Sequence, residues 1–474
     1  MANGWEVRKA SDNSNEGFNE TLQFHVMHQA NVISNHNKFY EIEIQKNPKG
    51  QYRIFTHYGR LGISNIYEVR ESFEGAPCFD LAIVQKEFDG IHKKKLTGKS
   101  VPDPDNPGEK MREAYVDVDT VAPSVGSENI RGKAEVKKTV TVKAAIDTST
   151  FDPTISKLLD QLVEENVHNI TTNTSIKYTA NGFATELGPV TPEHVARARK
   201  PLDDLNKLLG SKGEADPETR EVQQLNSLFF SLIPKPFSRK ISTDDMIFTA
   251  QKLQDEYDIL DQLATGVQMG AAMTGSTSQR INALGTDIEI VKDRKDYDRI
   301  VKYIEDSKAS NHRGSDVWSF KVRRIFKIRI PDERSRFEVG GKKKGNVHEV
   351  FHGSANSNIL SIIKGGLIIP PVSAAHVCGR NFGTGCYYAL NSSKSLNYSV
   401  GFWGGRRSKY SNNFLFLADL ALGKYYETLY GMPSGTPKGY DSIWARKGKD
   451  LYNDELITPY LENQTLTYLV EMSK

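Results

Sequence analysis

Between residues 38 and 70 apolar and polar positions alternate with the two-residue period of a strand. FYEIEIQ is followed by the turn NPKG and then by YRIFTHYGRLG. Leu81, Val84 and Phe88 then recur at helical spacing. These patterns predict a sheet-plus-helix module over residues 21–112, preceded by a tail over 1–20. The next stretch, DVDTVAPSVGSENIRGKAEVKKTVTVKAA, has no helical face and few aromatics, and predicts a linker over 113–149.

From residue 150 the period lengthens. Pro153 opens a run whose Ile155, Leu158, Leu159, Leu162 and Val163 share one helical face. Thr191 as N-cap and Pro192 at the first helical position start a second helix, striped by Val195, Ala198, Leu202, Leu205 and Leu209. Pro201 falls inside that stripe and predicts a kink or a split. Met246, Ala250, Leu253, Tyr257 and Leu260 mark a third helix, giving an all-α region over 150–268. Beyond it the chain is richer in strands. Phe326, Ile328 and Ile330 alternate with Lys327 and Arg329, and FLFLADLALG is apolar enough for a central strand. Only short helical runs lie between these strands, which argues against a doubly wound parallel sheet. The fold class expected is α+β multidomain, with a mixed α+β domain over 269–474.

Composition narrows the picture less than the pattern does. A chain of 474 residues needs several domains, and its formal charge of +3 neither requires nor excludes an anionic partner. No apolar run is long enough to span a membrane, and the N-terminal residues lack the apolar core of a signal peptide. Three cysteines cannot make a disulfide framework and suit a reducing compartment. Cys378, Cys386 and His376 lie close in sequence but form no C-x-x-C pair, so no metal is expected.

Four short stretches carry candidate chemistry: VFHGSANSNI (350–359), GTGCYYALNSSKSLNY (383–398), GYDSIWA (439–445) and LYNDELITPY (451–460). The second has two glycines before a helix-like run. It lacks both the third glycine of a dinucleotide fingerprint and the Gly-Lys-Ser/Thr of a P-loop. His352-Gly353-Ser354, the Gly-x-Gly-x-Tyr387-Tyr388-Ala389 run, Ser393-Lys394-Ser395-x-Asn397-Tyr398 and a late Asn-x-Glu together resemble the poly(ADP-ribose) polymerase catalytic domain. Upstream, ELGPVT and LNSLFFSLIPKPF are similar to that family's helical regulatory domain. HYGRLG (57–62) resembles its WGR module, with Tyr58 in the tryptophan position. There are no zinc-finger cysteine sets, so the layout is similar to the shorter, finger-free members.

The resemblance implies an ADP-ribosyltransferase that takes NAD as substrate, needs no metal, and is stimulated by DNA strand breaks. Its acceptors would be proteins, including itself. It implies that Tyr398 and Tyr387 hold the nicotinamide ring, that Gly353 and Ser395 bind its carboxamide, and that His352 bonds a ribose. A planar ring gains roughly 0.5–1.5 kcal/mol from aromatic faces beyond its area burial. Cleaving the bond from nicotinamide to ribose develops positive charge on the sugar, so an anion is needed nearby. Two carboxylates compete for that role. Asp454 follows Tyr452-Asn453 directly, whereas counting back from Tyr468-Leu469 selects Glu455, the longer side chain. Glu455 is the expected catalytic acid, with Asp454 as the alternative.

Ile368, in GGLIIPP, stands where the family often carries an arginine; Asn358 or Arg380 would then serve the adenosine side. Arg60 and Tyr58 are the expected DNA contacts. The run His92-Lys93-Lys94-Lys95 reads equally as a phosphate contact or a solvated surface. The resemblance further implies that the helical domain restrains NAD access until DNA is engaged. Mono- and poly(ADP-ribosyl)ation remain alternatives, as does a catalytically silent DNA-end binder. A Ser/His hydrolase on His352-Gly353-Ser354 lacks a Gly-x-Ser-x-Gly elbow and a placed acid.

Overall fold

Alternating residues at the N-terminal end pair into one antiparallel sheet in the structure, a computed structural model. It describes residues 4–10, 17–61, 63, 65–102, 108, 110–118, 151–180, 182–185, 187–210, 213–237, 241–369, 381–402 and 408–474. Most of the expected linker, and His376, Cys378 and Arg380, lie outside the described residues. The chain divides into two compact units. The first comprises 1–141, 170–202 and 216–247, and the second comprises the remainder.

The first unit is built on β1 (Trp5–Lys9), β2 (Glu20–Asn31), β3 (His36–Lys46), β4 (Tyr52–Arg60), β5 (Ile66–Phe73), helix α1 (Leu81–Thr97) and β6 (Val116–Asp117). The sheet order is β1-β5-β4-β3-β2-β6, with Ala76–Pro77 added beside β5. The expected tail therefore contributes an edge strand, because Trp5 is buried against the Phe73 ring. Similarly, Val116–Asp117, expected in the linker, pairs with β2. Asp80 caps α1 by accepting from the Ala82 amide, and Val84 and Phe88 close the core beneath the sheet, whereas Leu81 stays exposed.

One face of β3 departs from the alternating rule. Glu41, Glu43 and Gln45 are as buried as the apolar residues between them. They survive there because each is bonded: Glu41 to His57 Nδ1, Glu43 to Gln45, and Gln45 to the Arg53 guanidinium.

In the helical region the helices are α2 (Pro153–Asn173), α3 (Pro192–Leu209), α4 (Arg220–Leu232) and α5 (Ala250–Met269). Between α2 and α3 a three-stranded sheet formed by 177–179, 182–185 and 188–189 corrects the all-α expectation. Helix α3 runs unbroken through Pro201, contrary to a split. Its stripe from Val195 to Leu209 is wholly buried, and that packing outweighs one lost backbone bond. Within the first unit α4 lies along β2. There Ser231 Oγ accepts from the Ala30 amide, and the Ser231 carbonyl lies 2.8 Å from His28 Nδ1.

The second unit holds two sheets. Its elements are β7 (Asp287–Ile290), α6 (Arg294–Asp306), β8 (Lys321–Arg329), β9 (Val347–Gly353), α7 (Asn356–Gly365), β10 (Cys386–Tyr388) and α8 (Ser392–Ser399). After them come β11 (Asn412–Ala421), β12 (Tyr425–Thr428), β13 (Ser442–Ala445), β14 (Glu455–Thr458) and β15 (Gln464–Ser473). One sheet has the order β7-β8-β15-β11-β9, placing the apolar β11 in its interior as its sequence requires. The other has the order β10-β14-β13-β12. A bridge between Phe351 and Ala389, closed by backbone bonds of 2.9 and 3.0 Å, joins the two sheets.

Candidate active site

The stretch that resembled a phosphate loop folds for a different reason. Gly383 has φ +78°, and a Cβ there would come within 2.4 Å of Gly435 Cα. Its carbonyl accepts from the Tyr387 hydroxyl at 2.6 Å, fixing that ring as it leaves the turn into β10. The serines that follow are pegs for α8. Ser392 and Ser399 donate to the carbonyls of Ile304 and Phe414, and Ser393 accepts from the Ala309 amide. Small polar residues let the helix sink against β9 while each hydroxyl keeps a partner.

At Gly353 the packing is closest. A Cβ there would lie 1.8 Å from the Ser395 carbonyl oxygen, so the glycine is needed for helix-to-strand contact whatever else it binds. Ser395 is buried and donates its hydroxyl to the Phe351 carbonyl at 3.0 Å, which leaves its oxygen free to accept. Tyr398, one turn further along α8, is half-buried on the same side.

His352 Nδ1 lies 2.9 Å from the Tyr387 carbonyl. A carbonyl only accepts, so Nδ1 carries the proton and Nε2 presents a lone pair. Burial lowers the pKa of the ring below its ordinary value, against a smaller opposing effect of the Tyr387 bond. The imidazole is therefore neutral, a ready acceptor for a hydroxyl.

The two competing carboxylates point to opposite faces of β14, as neighbours at a strand start do. Asp454 is held by Trp444 Nε1 at 2.8 Å, the Lys447 amide at 2.7 Å and Arg446 at 3.2 Å. Glu455 is buried and pairs with Lys394 Nζ at 2.9 Å, and that ammonium also donates to the Asn453 carbonyl at 2.7 Å. Burial pushes the Glu455 carboxyl up and Lys394 opposes it. The ammonium is itself pushed down by burial, with Glu455 opposing.

These contacts form a circuit. Glu455 touches Lys394, whose neighbour Ser395 bonds Phe351. His352 follows Phe351 and bonds Tyr387, and Tyr387 pairs across strands with Ile457, on the same face as Glu455. His312, which the sequence did not suggest, extends the circuit together with Asn453. His312 Nδ1 lies 2.8 Å from Ser393 Oγ, and Asn453 Nδ2 lies 3.4 Å from His312 Nε2.

Asn358, expected on the adenosine side, is already engaged. Its amide nitrogen donates to Asp258 at 2.8 Å and to Ser354 at 3.2 Å, and its oxygen accepts from Gln262 at 2.6 Å. Asp258 and Gln262 are one turn apart on α5. Burial raises the Asp258 carboxyl to about 6. Nothing in the sequence hints at them, because α5 carries many polar residues and Asp258 and Gln262 are two among several.

In the first unit, Tyr58 stacks on Tyr40 with centroids 5.3 Å apart and donates to Glu68 at 2.9 Å, and burial with that bond pushes its hydroxyl up to about 12. Arg60 donates to the Asn35 carbonyl at 3.3 Å. The basic run at the end of α1 divides. Lys95 sits over Tyr40 at 3.6 Å, with Tyr115 and Tyr58 at 5.2 and 5.9 Å, and desolvation lowers it to about 8. His92 bonds Asp117, so only Lys93 and Lys94 are exposed.

Comparison with known proteins places three families along the chain. Residues 23–76 match the WGR domain, 149–284 the poly(ADP-ribose) polymerase regulatory domain, and 294–464 the poly(ADP-ribose) polymerase catalytic domain. Rice poly [ADP-ribose] polymerase 2-B (Oryza sativa subsp. japonica) is 25% identical over 85% of this chain and 59% of its own length. Human protein mono-ADP-ribosyltransferase PARP3 is 25% identical over 91% of this chain and 77% of its own. Arabidopsis thaliana poly [ADP-ribose] polymerase 2 is 23% identical over 85% of this chain. The chain thus spans about three fifths of both plant relatives, at 59% and 61% of their lengths. Among the described residues no helix is long and apolar enough to cross a membrane.

Proposed function

The chain belongs to the poly(ADP-ribose) polymerase family, and from that premise we propose that it is an NAD-dependent ADP-ribosyltransferase stimulated by DNA strand breaks. The observation that carries this reading is the buried Lys394–Glu455 pair, set beside Ser395 and, through Phe351, beside neutral His352. Tyr398 and Tyr387 bracket the nicotinamide, while the Gly353 backbone and the Ser395 hydroxyl bond its carboxamide. The His352 Nε2 lone pair accepts from a ribose hydroxyl. Glu455, aimed by Lys394, holds the second hydroxyl of that ribose and polarises the incoming acceptor. The C1′–nitrogen bond breaks with its electron pair leaving on nicotinamide, and the acceptor oxygen forms the new bond to C1′ as it loses its proton. Proteins, this chain among them, are the acceptors.

Restraint by the helical region has a local basis within the second unit. Asn358 cannot serve adenosine while Asp258 and Gln262 of α5 occupy both ends of its amide. Engagement of a DNA end by the WGR module, with Arg60 and exposed Lys93 and Lys94 meeting phosphates, is the event that releases it. The setting is intracellular, and nuclear in a eukaryotic host.

Incubation with labelled NAD, with and without nicked DNA, resolved on a gel, tests the reading. A DNA-dependent ladder supports a polymerase and a single band a monotransferase. No nicotinamide release in any DNA context leaves a silent DNA-end binder.

A further inference from the structure

Positions 25, 92 and 117, far apart in sequence and outside the NAD chemistry, meet in the first unit. His25 comes from β2, His92 from the last turns of α1 and Asp117 from β6. The two imidazoles stack with centroids 3.6 Å apart and planes 5° from parallel. His92 Nε2 lies 2.8 Å from Asp117 Oδ1. One donor atom from each residue lies within 4.8 Å of the others, and all three residues are half-buried. We propose that His25, His92 and Asp117 form a transition-metal site, suited to Zn²⁺, that clips β6 to β2 and α1.

The donor set fits the ion. Two imidazoles and one carboxylate are borderline ligands that Zn²⁺ accepts, and three protein ligands leave a fourth position for water. Stacked rings are a poor place for two positive charges. The ion replaces the proton shared by His92 and Asp117, and that proton is released to solvent. Tetrahedral ligands at zinc distances sit about 3.3 Å apart, so the 2.8 Å contact opens by roughly half an ångström. The stacked rings are parallel, so their in-plane lone pairs do not meet as placed, and binding also requires one half-buried imidazole to turn about its Cβ–Cγ bond until both lone pairs face the ion.

The backbone around Asp117 shows what the clip would secure. The Val118 amide donates to the Val26 carbonyl at 2.7 Å, and the Asp117 carbonyl accepts from Arg197 at 2.8 Å. A metal there fixes the end of β6 from its side-chain side as these bonds fix it from the backbone. The cysteine spacing that argued against a metal has no bearing on a site built from histidine and aspartate.

The test uses the full chain, stripped with chelator and desalted, titrated with Zn²⁺ by calorimetry and with Co²⁺ by visible absorption. The expected result is one equivalent bound with proton release and a rise in thermal midpoint. H25Q, H92Q and D117N should each weaken binding about tenfold or more, while H348Q, at a half-buried histidine of the second unit, leaves it unchanged. If a variant fails to fold, the Co²⁺ spectrum of the unaltered chain decides. Tetrahedral bands without thiolate charge transfer support the site, and a thiolate band or a six-coordinate spectrum overturns it. Absence of saturable Zn²⁺ binding, or binding untouched by all three substitutions, also overturns it.

Discussion

The ammonium of Lys394 lies 2.9 Å from Glu455 Oε1 and at the same time donates to the Asn453 carbonyl at 2.7 Å, so one cation fixes both the carboxylate and the turn that delivers it. Both side chains are about nine-tenths buried. Removing one partner leaves the other charged and desolvated, which is why such a pair is sensitive to single substitutions.

The two carboxylates should separate cleanly. Glu455→Gln is expected to lower NAD turnover on the order of 10²-fold or more. Asp454→Asn should leave the rate within a few fold, yet lower the thermal midpoint, because Asp454 ties Trp444, Arg446 and the Lys447 amide together. Steady-state nicotinamide release, measured beside thermal melts, checks both. Equal loss from the two variants would return Asp454 to candidacy.

Lys394→Met should move the acid limb of the pH–rate profile. Burial already raises the Glu455 carboxyl and Lys394 is what opposes it. Without the cation the carboxyl titrates at higher pH, so the ionised form needed for catalysis appears later as pH rises. The limb of kcat/KM therefore shifts upward, and an unmoved limb means that Lys394 does not set the ionisation.

Much of this architecture was legible because periodicity reports burial directly. The apolar β11, the alternation of Phe326 and Ile328, and the stripes of α2, α3 and α5 all lie buried as their spacing requires. The errors share a cause, since tertiary partners are not written locally. Glu41, Glu43 and Gln45 read as a solvent face until His57 and Arg53 are placed against them. Trp5 reads as tail until Phe73 returns beside it. At the candidate site, motif spacing could nominate Asn358 but not Asp258 or Gln262, which reach it from 100 and 96 positions away. Gly353 is expected to bind the carboxamide, and nothing in its local sequence shows that the Ser395 carbonyl also packs against it.

That contact makes Gly353→Ala a stringent probe. The Cβ would lie 1.8 Å from a backbone oxygen, which cannot swing away as a side chain can. Overpacking of this kind costs about 1–3 kcal/mol, read as a lower urea midpoint with an unchanged slope. Turnover should fall too, because displacing α8 from β9 carries Ser395 and Tyr398 with it. Wild-type stability in this variant would mean that the helix and strand are less closely packed in solution.

Finally, docking of α5 should depend on pH through Asp258. Its carboxyl rises from an ordinary 3.8 to about 6 when buried against Asn358 and Gln254. The docked helix thus binds more protons than the undocked one between those values. Its stabilisation is full below about 3.8 and is lost as pH climbs through about 6. The change across that window is on the order of 1–3 kcal/mol. Hydrogen exchange of α5 amides, corrected for the intrinsic pH dependence of exchange, should show protection falling from pH 4 to about 6 and level thereafter. Asp258→Asn has no charge to bury and should flatten the profile. If docked α5 restrains the site, the same substitution should also reduce NAD turnover in the absence of DNA at neutral pH, where the native carboxylate is ionised and docking is weakest. A variant whose protection still falls over that window would assign the dependence to another group.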